Sequence, residues 1–238
     1  MRVTILNPQS GTGKTTTALY LSIALAHEGV SVQIVDLDPK VVLSQALVSS
    51  GQMLTPVEPA VYEQSKKTKN LLGYPSVEIH TVDKHEALAA EVTQFLPSHR
   101  GKWQILDTSS VAAIGHQALI SDSDIVLIPV RPEPVALHTM NDLVSDLQAI
   151  GMPLSALRIL ISQYSNRISQ HRVTRSRLID RFGSQAVVPV VIRTSSKLSV
   201  IGDSTGVVFQ DAPRSTGASD YAQLARSLLS EQALWRAM

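Results

Sequence analysis

The stretch that most constrains this chain is Ile5–Leu21, ILNPQSGTGKTTTALYL. A short apolar strand, expected over Val3–Leu6, breaks at Pro8, passes through Gly11 and Gly13, and runs into Lys14-Thr15-Thr16-Thr17 and a helix. Glycines so placed let backbone N–H groups converge on phosphate oxygens, and a helix N-terminus adds its positive dipole end. In a loop of this kind Lys14 reaches the β- and γ-phosphates and Thr15 offers its hydroxyl to Mg²⁺. The strict spacing G-x-x-x-x-G-K-[ST] is not met, because its first glycine falls on Pro8. A plain glycine turn before an ordinary helix is the competing reading. The strand before, the helix after and a set of carboxylates downstream argue against it.

Those carboxylates recur at one kind of place. Val30–Val35 is almost continuously apolar and ends in Asp36-Leu37-Asp38-Pro39-Lys40; Trp103–Leu106 ends in Asp107. Apolar β-branched runs that alternate with helices read as buried parallel strands, and ligands bind at the carboxyl ends of such strands. A lone acid after an apolar triplet is a weak signal, but Asp107 is the third of its kind. Further strands are expected over Val77–Val82, Asp124–Val130, Leu157–Ile161 and Val187–Ile192. Helices are expected over Ala18–His27, over Glu86–Phe95, from Pro134 through Leu147, and over Asp220–Met238 with Tyr221, Leu224, Leu228 and Trp235 on one stripe. The pattern predicts an α/β fold, a doubly wound and mostly parallel sheet with helices on both faces. No repeat or linker divides the chain, so residues 1–238 read as one domain.

Composition narrows the chemistry. With 44% hydrophobic but only 4% aromatic residues, the core must be built from Val, Ile, Leu and Ala. The absence of cysteine excludes disulfides, thiolate zinc sites and iron–sulfur clusters. No apolar run reaches the ~20 residues of a spanning helix. The stretch 44–100 is the least legible, with Pro56, Pro59, the Ser-Ser-Gly at 49–51 and the Lys66, Lys67, Lys69 cluster suggesting loops around short helices. Net charge is only +1, yet between Arg158 and Lys197 eight cations (Arg158, Arg167, Arg172, Arg175, Arg177, Arg181, Arg193, Lys197) face the single acid Asp180. Such a segment suits sequence-independent contact with a polyanion; a solvated basic helix face is the plainer alternative.

Taken together, NPQSGTGKTTTA, VDLDPK, ILDTSS and SDIVLIPVRPEPVAL, in this order, resemble the ParA/MinD family of deviant-Walker ATPases. VVIRTSSKLSVIGDSTGVVFQ and STGASDYAQLA resemble that family's C-terminal pattern; residues 50–100 match it poorly. The resemblance implies ATP and Mg²⁺ as ligands, with Gly11, Thr12, Gly13, Lys14, Thr15 and Thr16 holding the phosphates. It implies that Thr15, Asp36 and Asp107 set the Mg²⁺ environment, that Lys14 and Asp38 are catalytic, and that Asp38 orients or activates the attacking water. It implies an ATP-dependent homodimer that binds duplex DNA non-specifically, or a membrane; for DNA, the basic segment described above offers Arg172, Arg175 and Arg177 as the candidate contacts. A small ParB-like or McdB-like adaptor would stimulate a slow hydrolysis, in a nucleoid-associated, cytoplasmic setting, to place plasmids, chromosomes or carboxysomes.

One departure stands out. The family motif carries a lysine five residues before Lys14 that reaches across the dimer, and this chain has Gln9 there, followed by Ser10. McdA-type members resemble it in lacking that lysine. Arg131, in Arg131-Pro132-Glu133-Pro134 after a strand, is the first candidate for a substitute cation. Two other readings belong to the same fold: a MinD-type membrane-associated regulator, and a metabolic ATP-dependent enzyme. The membrane reading is disfavoured by a C-terminal stretch whose only basic residues are Arg226 and Arg236.

Overall fold

Apolar runs separated by helices become the middle of one eight-stranded sheet. The computed structural model describes residues 1–38, 43, 68–71, 74–81, 93, 96–108, 117–198, 209 and 212–237. The strands are β1 (Arg2–Ile5), β2 (Val32–Leu37), β3 (Thr68–Leu71), β4 (Tyr74–Thr81), β5 (Trp103–Thr108), β6 (Ile125–Val130), β7 (Leu157–Tyr164) and β8 (Val187–Arg193). Their spatial order is β3-β4-β2-β5-β1-β6-β7-β8, and all pairs are parallel except β3 with β4. Every residue of β1, β2, β5 and β6 is buried, as parallel strands covered on both faces must be.

The helices among the described residues are α1 (Lys14–His27), α2 (Gln117–Ser121), α3 (Ala136–Ala149), α4 (Ser169–Phe182) and α5 (Thr216–Ala237). The apolar core divides between the two faces of the sheet. On one face Val3, Ile5, Ile34 and Ile105 pack with Leu21 and Ile23 of α1 and with Tyr221, Leu224 and Leu228 of α5. On the other, Val126, Ile128, Ile159 and Ile161 pack with Met140, Leu143 and Leu147 of α3 and with Leu178 of α4. Strand alternation divides the residues: Leu160 joins the first core while its neighbours join the second. The architecture is the doubly wound sheet expected from the sequence.

Several expectations shift. Helix α1 begins at Lys14 rather than Ala18, because Gly13 at φ 94 turns the chain directly into its first turn. The Lys66–Lys69 stretch does not lie wholly in loops, since Thr68–Leu71 is an antiparallel strand at the sheet edge. An edge strand pairs on one side only, so its sequence need not carry the apolar run that marks β2 or β6. In α5 the expected stripe holds for Tyr221, Leu224 and Leu228 but not for Trp235, which is 39% exposed and lies over the Arg158 guanidinium, 5.8 Å from the ring centroid. The expected helix Glu86–Phe95 (Thr93 apart), Lys66, Lys67, Pro56, Pro59, the Ser-Ser-Gly at 49–51, Ser109, Ser110 and residues 199–208 lie outside the described residues.

Candidate functional site

Strand register gathers the candidate residues at one edge. Asp107 of β5 stands opposite Ile5 of β1 and opposite Asp36 of β2, so both acids lie level with the residue from which the glycine loop departs. The loop is fixed from beneath by buried Asn7. Its Nδ2 donates to the Pro129 carbonyl at 2.8 Å, and its Oδ1 accepts the Gln9 N–H at 2.8 Å, tying the loop base to the end of β6. Gly11 (φ 73) and Gly13 (φ 94) both have left-handed backbone, and a Cβ on either would meet nothing within 4 Å. Conformation, not crowding, calls for glycine there.

Two donors from β7 hold the outside of the loop. Ser162 Oγ donates to the Thr12 carbonyl at 2.8 Å, and Gln163 Nε2 donates to the Gly11 carbonyl at 2.7 Å. Within the loop the Gln9 carbonyl accepts from Thr12 Oγ1 at 3.3 Å and from Lys14 Nζ at 3.1 Å. Thr17, one turn into α1, shares a hydrogen bond of 3.2 Å with the Tyr221 hydroxyl of α5.

The electrostatics converge on one acid. Asp107 is fully buried, and among the described residues neither carboxylate oxygen has a hydrogen-bond partner. Burial first, and the nearby Asp36 second, push its carboxyl up to about 8. The Thr15 hydroxyl opposes that rise from close by, though it falls short of hydrogen-bond geometry, and Lys14 opposes it more weakly. Burial lowers the Lys14 ammonium, against the pull of Asp107 and Asp38. Asp36 is buried and accepts the Asp38 N–H at 3.1 Å, which aims the half-buried Asp38 from the strand end.

An unpaired buried acid beside a threonine hydroxyl and a second acid suits a hydrated divalent cation. Mg²⁺ keeps several waters and takes one or two carboxylates with phosphate oxygens, rather than an all-protein cage. Among the described residues no group of three or more histidines and acids could hold a metal unaided. The donor set therefore fits Mg²⁺ carried with a nucleotide.

The more distant candidates fare differently. Arg131 is 45% exposed on the loop after β6 and pairs with Glu133 at 2.7 Å. Arg172 and Arg175 lie about 60° apart around α4, whereas Arg177 lies about 140° from Arg172 and groups with Arg181. Arg158 and Arg193 are bound structurally: Arg158 bonds Glu231 and the Ser155 and Leu157 carbonyls, and Arg193 grips Asp220 through contacts of 2.6 to 3.1 Å. Asn7, Ser162, Gln163 and Tyr221 escaped the sequence reading as site residues. Asn7 lies within the quoted motif and could have been found; the others reach the loop from far along the chain.

A parallel sheet with strand, glycine loop, lysine and helix at its center defines a P-loop nucleotide-binding protein. Residues 3–205 match the CobQ/CobB/MinD/ParA nucleotide binding domain, and the chain belongs to that family, the ParA/MinD P-loop ATPases. The chromosome-partitioning ATPase Soj of Thermus thermophilus is 27% identical over 253 residues, covering 96% of this chain and 95% of Soj. The fold also matches apo McdA of Cyanthece, with TM-score 0.72 at 15% identity over 96% of this chain and 98% of that one. MinD of Pyrococcus horikoshii complexed with Mg-ADP matches with TM-score 0.70 at 19% identity, covering 95% of each chain.

Proposed function

We propose that this chain is an ATP-dependent dimerising switch that binds duplex DNA without sequence preference and positions or segregates intracellular cargo. The observation that carries the nucleotide half is the pair of unpaired, buried Asp107 oxygens facing Thr15 and Lys14 at the mouth of the glycine loop. A buried acid without partners is costly unless something else completes it. In this reading Gly11, Thr12, Gly13, Lys14, Thr15 and Thr16 cradle the phosphates of ATP, and Thr15, Asp36 and Asp107 surround Mg²⁺. When bound, the ion neutralises charge on the β- and γ-phosphate oxygens. Lys14 leaves the Gln9 carbonyl to meet the phosphates, and Asp38, held at the end of β2, orients the attacking water.

Gln9 cannot supply the positive charge that the family's lysine carries across the dimer. Arg131 is the substitute we favour, because it lies exposed at the same sheet edge; Glu133 must release it first. Hydrolysis is then slow until a partner arrives, and the adaptor is a small ParB-like or McdB-like protein. Duplex DNA meets the basic helix α4 through Arg172, Arg175 and Arg177. Residues 1–238 act as one domain, in a cytoplasmic, nucleoid-associated setting. Among the described residues no helix is long and apolar enough to cross a membrane.

Turnover and retention assays test the reading together. ATPase rate measured alone, with duplex DNA and with anionic liposomes should show slow, Lys14-dependent hydrolysis, and ATP-dependent retention on DNA only. Retention on liposomes alone would favour the membrane regulator, and failure to bind ATP would overturn the nucleotide reading.

A further inference from the structure

We propose that Gln163 is a positioning residue for the phosphate loop, holding the Gly11 carbonyl outward so that the loop's N–H groups face the nucleotide. This rests on the reading of Gly11–Thr16 as a phosphate cradle. In a regular strand, successive side chains point to opposite faces, so Ser162 and Gln163 should not reach the same loop. They do: Ser162 Oγ donates to the Thr12 carbonyl and Gln163 Nε2 to that of Gly11, at 2.8 and 2.7 Å.

The backbone explains how. Gln163 has φ 51, the only positive φ outside glycine among the described residues, and the β7–β8 register shifts between Ile161 and Tyr164. A bulge with one left-handed residue re-aims a side chain that regular pleating would send elsewhere. That conformation is disfavoured for a residue with a Cβ, and it is held by Thr194, just after β8, whose Oγ1 donates to the Gln163 carbonyl at 3.0 Å and whose N–H donates to the Tyr164 carbonyl at 2.9 Å. The strain has a use at the loop. A peptide whose carbonyl is pinned outward presents the following N–H inward, and two consecutive pinned carbonyls, Gly11 and Thr12, orient the N–H groups of Thr12 and Gly13 together. The phosphates then meet donors already aimed.

Gln163 is exposed, so its replacement need not disturb the core. Gln163→Gly removes the donor while relieving the left-handed backbone; Gln163→Glu keeps the shape but turns the donor into an acceptor facing a carbonyl. Both variants and Lys14→Ala are compared with wild type for Mg-ATP affinity by calorimetry and for thermal unfolding without nucleotide. We expect both Gln163 variants to bind Mg-ATP about fivefold to tenfold more weakly, the size of one hydrogen bond, with the glycine variant melting no lower than wild type. A merely structural role would shift melting and leave affinity alone. Wild-type affinity in both variants, with Lys14→Ala still defective, would overturn the positioning role and leave the cradle standing. Failure of wild type to bind Mg-ATP would overturn both.

Discussion

Replacing Asp107 with asparagine separates the charge of the site from its packing. In the folded chain the carboxyl is fully buried, unpaired and pushed up to about 8, against 3.8 for an ordinary aspartate. Between roughly pH 4 and 8 the folded protein therefore keeps a proton that the unfolded chain has lost. The stability this group contributes is fully present below that window and declines by about 1.4 kcal/mol per pH unit through it. Above about pH 8 both states are ionised and the slope vanishes. Asparagine has nearly the same shape and takes no proton, so it removes the slope. Urea unfolding without nucleotide or Mg²⁺ should show Asp107→Asn gaining on wild type by about 3 kcal/mol between about pH 5 and 7.5, then levelling. Because a cation needs the carboxylate, wild type should also release close to one proton on binding Mg-ATP near neutral pH, read by calorimetry in buffers of different ionisation enthalpy, and the variant none. A stability difference flat with pH would refute the burial argument.

Asp38→Ala should bind Mg-ATP and dimerise but barely hydrolyse it, checked by single-turnover rates beside light scattering; wild-type turnover would remove Asp38 from the chemistry. Arg131→Ala should slow partner-stimulated turnover by about a hundredfold or more if it reaches across the dimer, while Gln9→Lys should raise basal turnover; both are read by steady-state ATPase rates. Reversing the charge of Arg172, Arg175 and Arg177 together should weaken binding to any duplex and flatten its salt dependence, measured by retention across a salt titration. Arg158→Ala should lower unfolding free energy by about 1–3 kcal/mol through loss of the Glu231 pair and the Trp235 stack, in urea titrations, with DNA retention unchanged.

What the sequence made legible is what local pattern encodes. The runs feeding β2, β5 and β6 are apolar because both faces of a parallel strand are covered, and the acids Asp36 and Asp107 close them where the sheet meets the loop. Gly13 and Lys14 announce the start of α1 within a few residues. What stayed hidden is settled by partners distant in the chain. Gln163 reads as an ordinary polar residue at a strand end, yet it bonds a carbonyl 152 positions away. Tyr221 reads as one member of a helix stripe, and its ring is indeed core, but its hydroxyl meets Thr17 beside the nucleotide loop. Edge strand β3 is hidden for the opposite reason: pairing on one side imposes no apolar pattern to detect.

The basic segment shows why a charge count differs from a binding surface. Of its eight cations, Arg158 and Arg193 are matched by Glu231 and Asp220, both contributed by α5 from outside the segment. Those two arginines join β7 and β8 to α5, and their charge is spent inside the protein. Three of the four arginines on α4 bond to neutral acceptors: Arg172 to the Asn166 carbonyl, Arg175 to that of Pro189 and Arg181 to the Asn141 amide oxygen. Such acceptors hold a guanidinium without bringing a carboxylate against it, unlike the partners of Arg158 and Arg193. Helix geometry then sets Arg172 with Arg175 on one flank and Arg177 with Arg181 on the other, while Thr174 and Leu178 face the core. On the proposed function, a duplex lying across α4 would meet arginines on both flanks, and such contacts would engage phosphates rather than base edges.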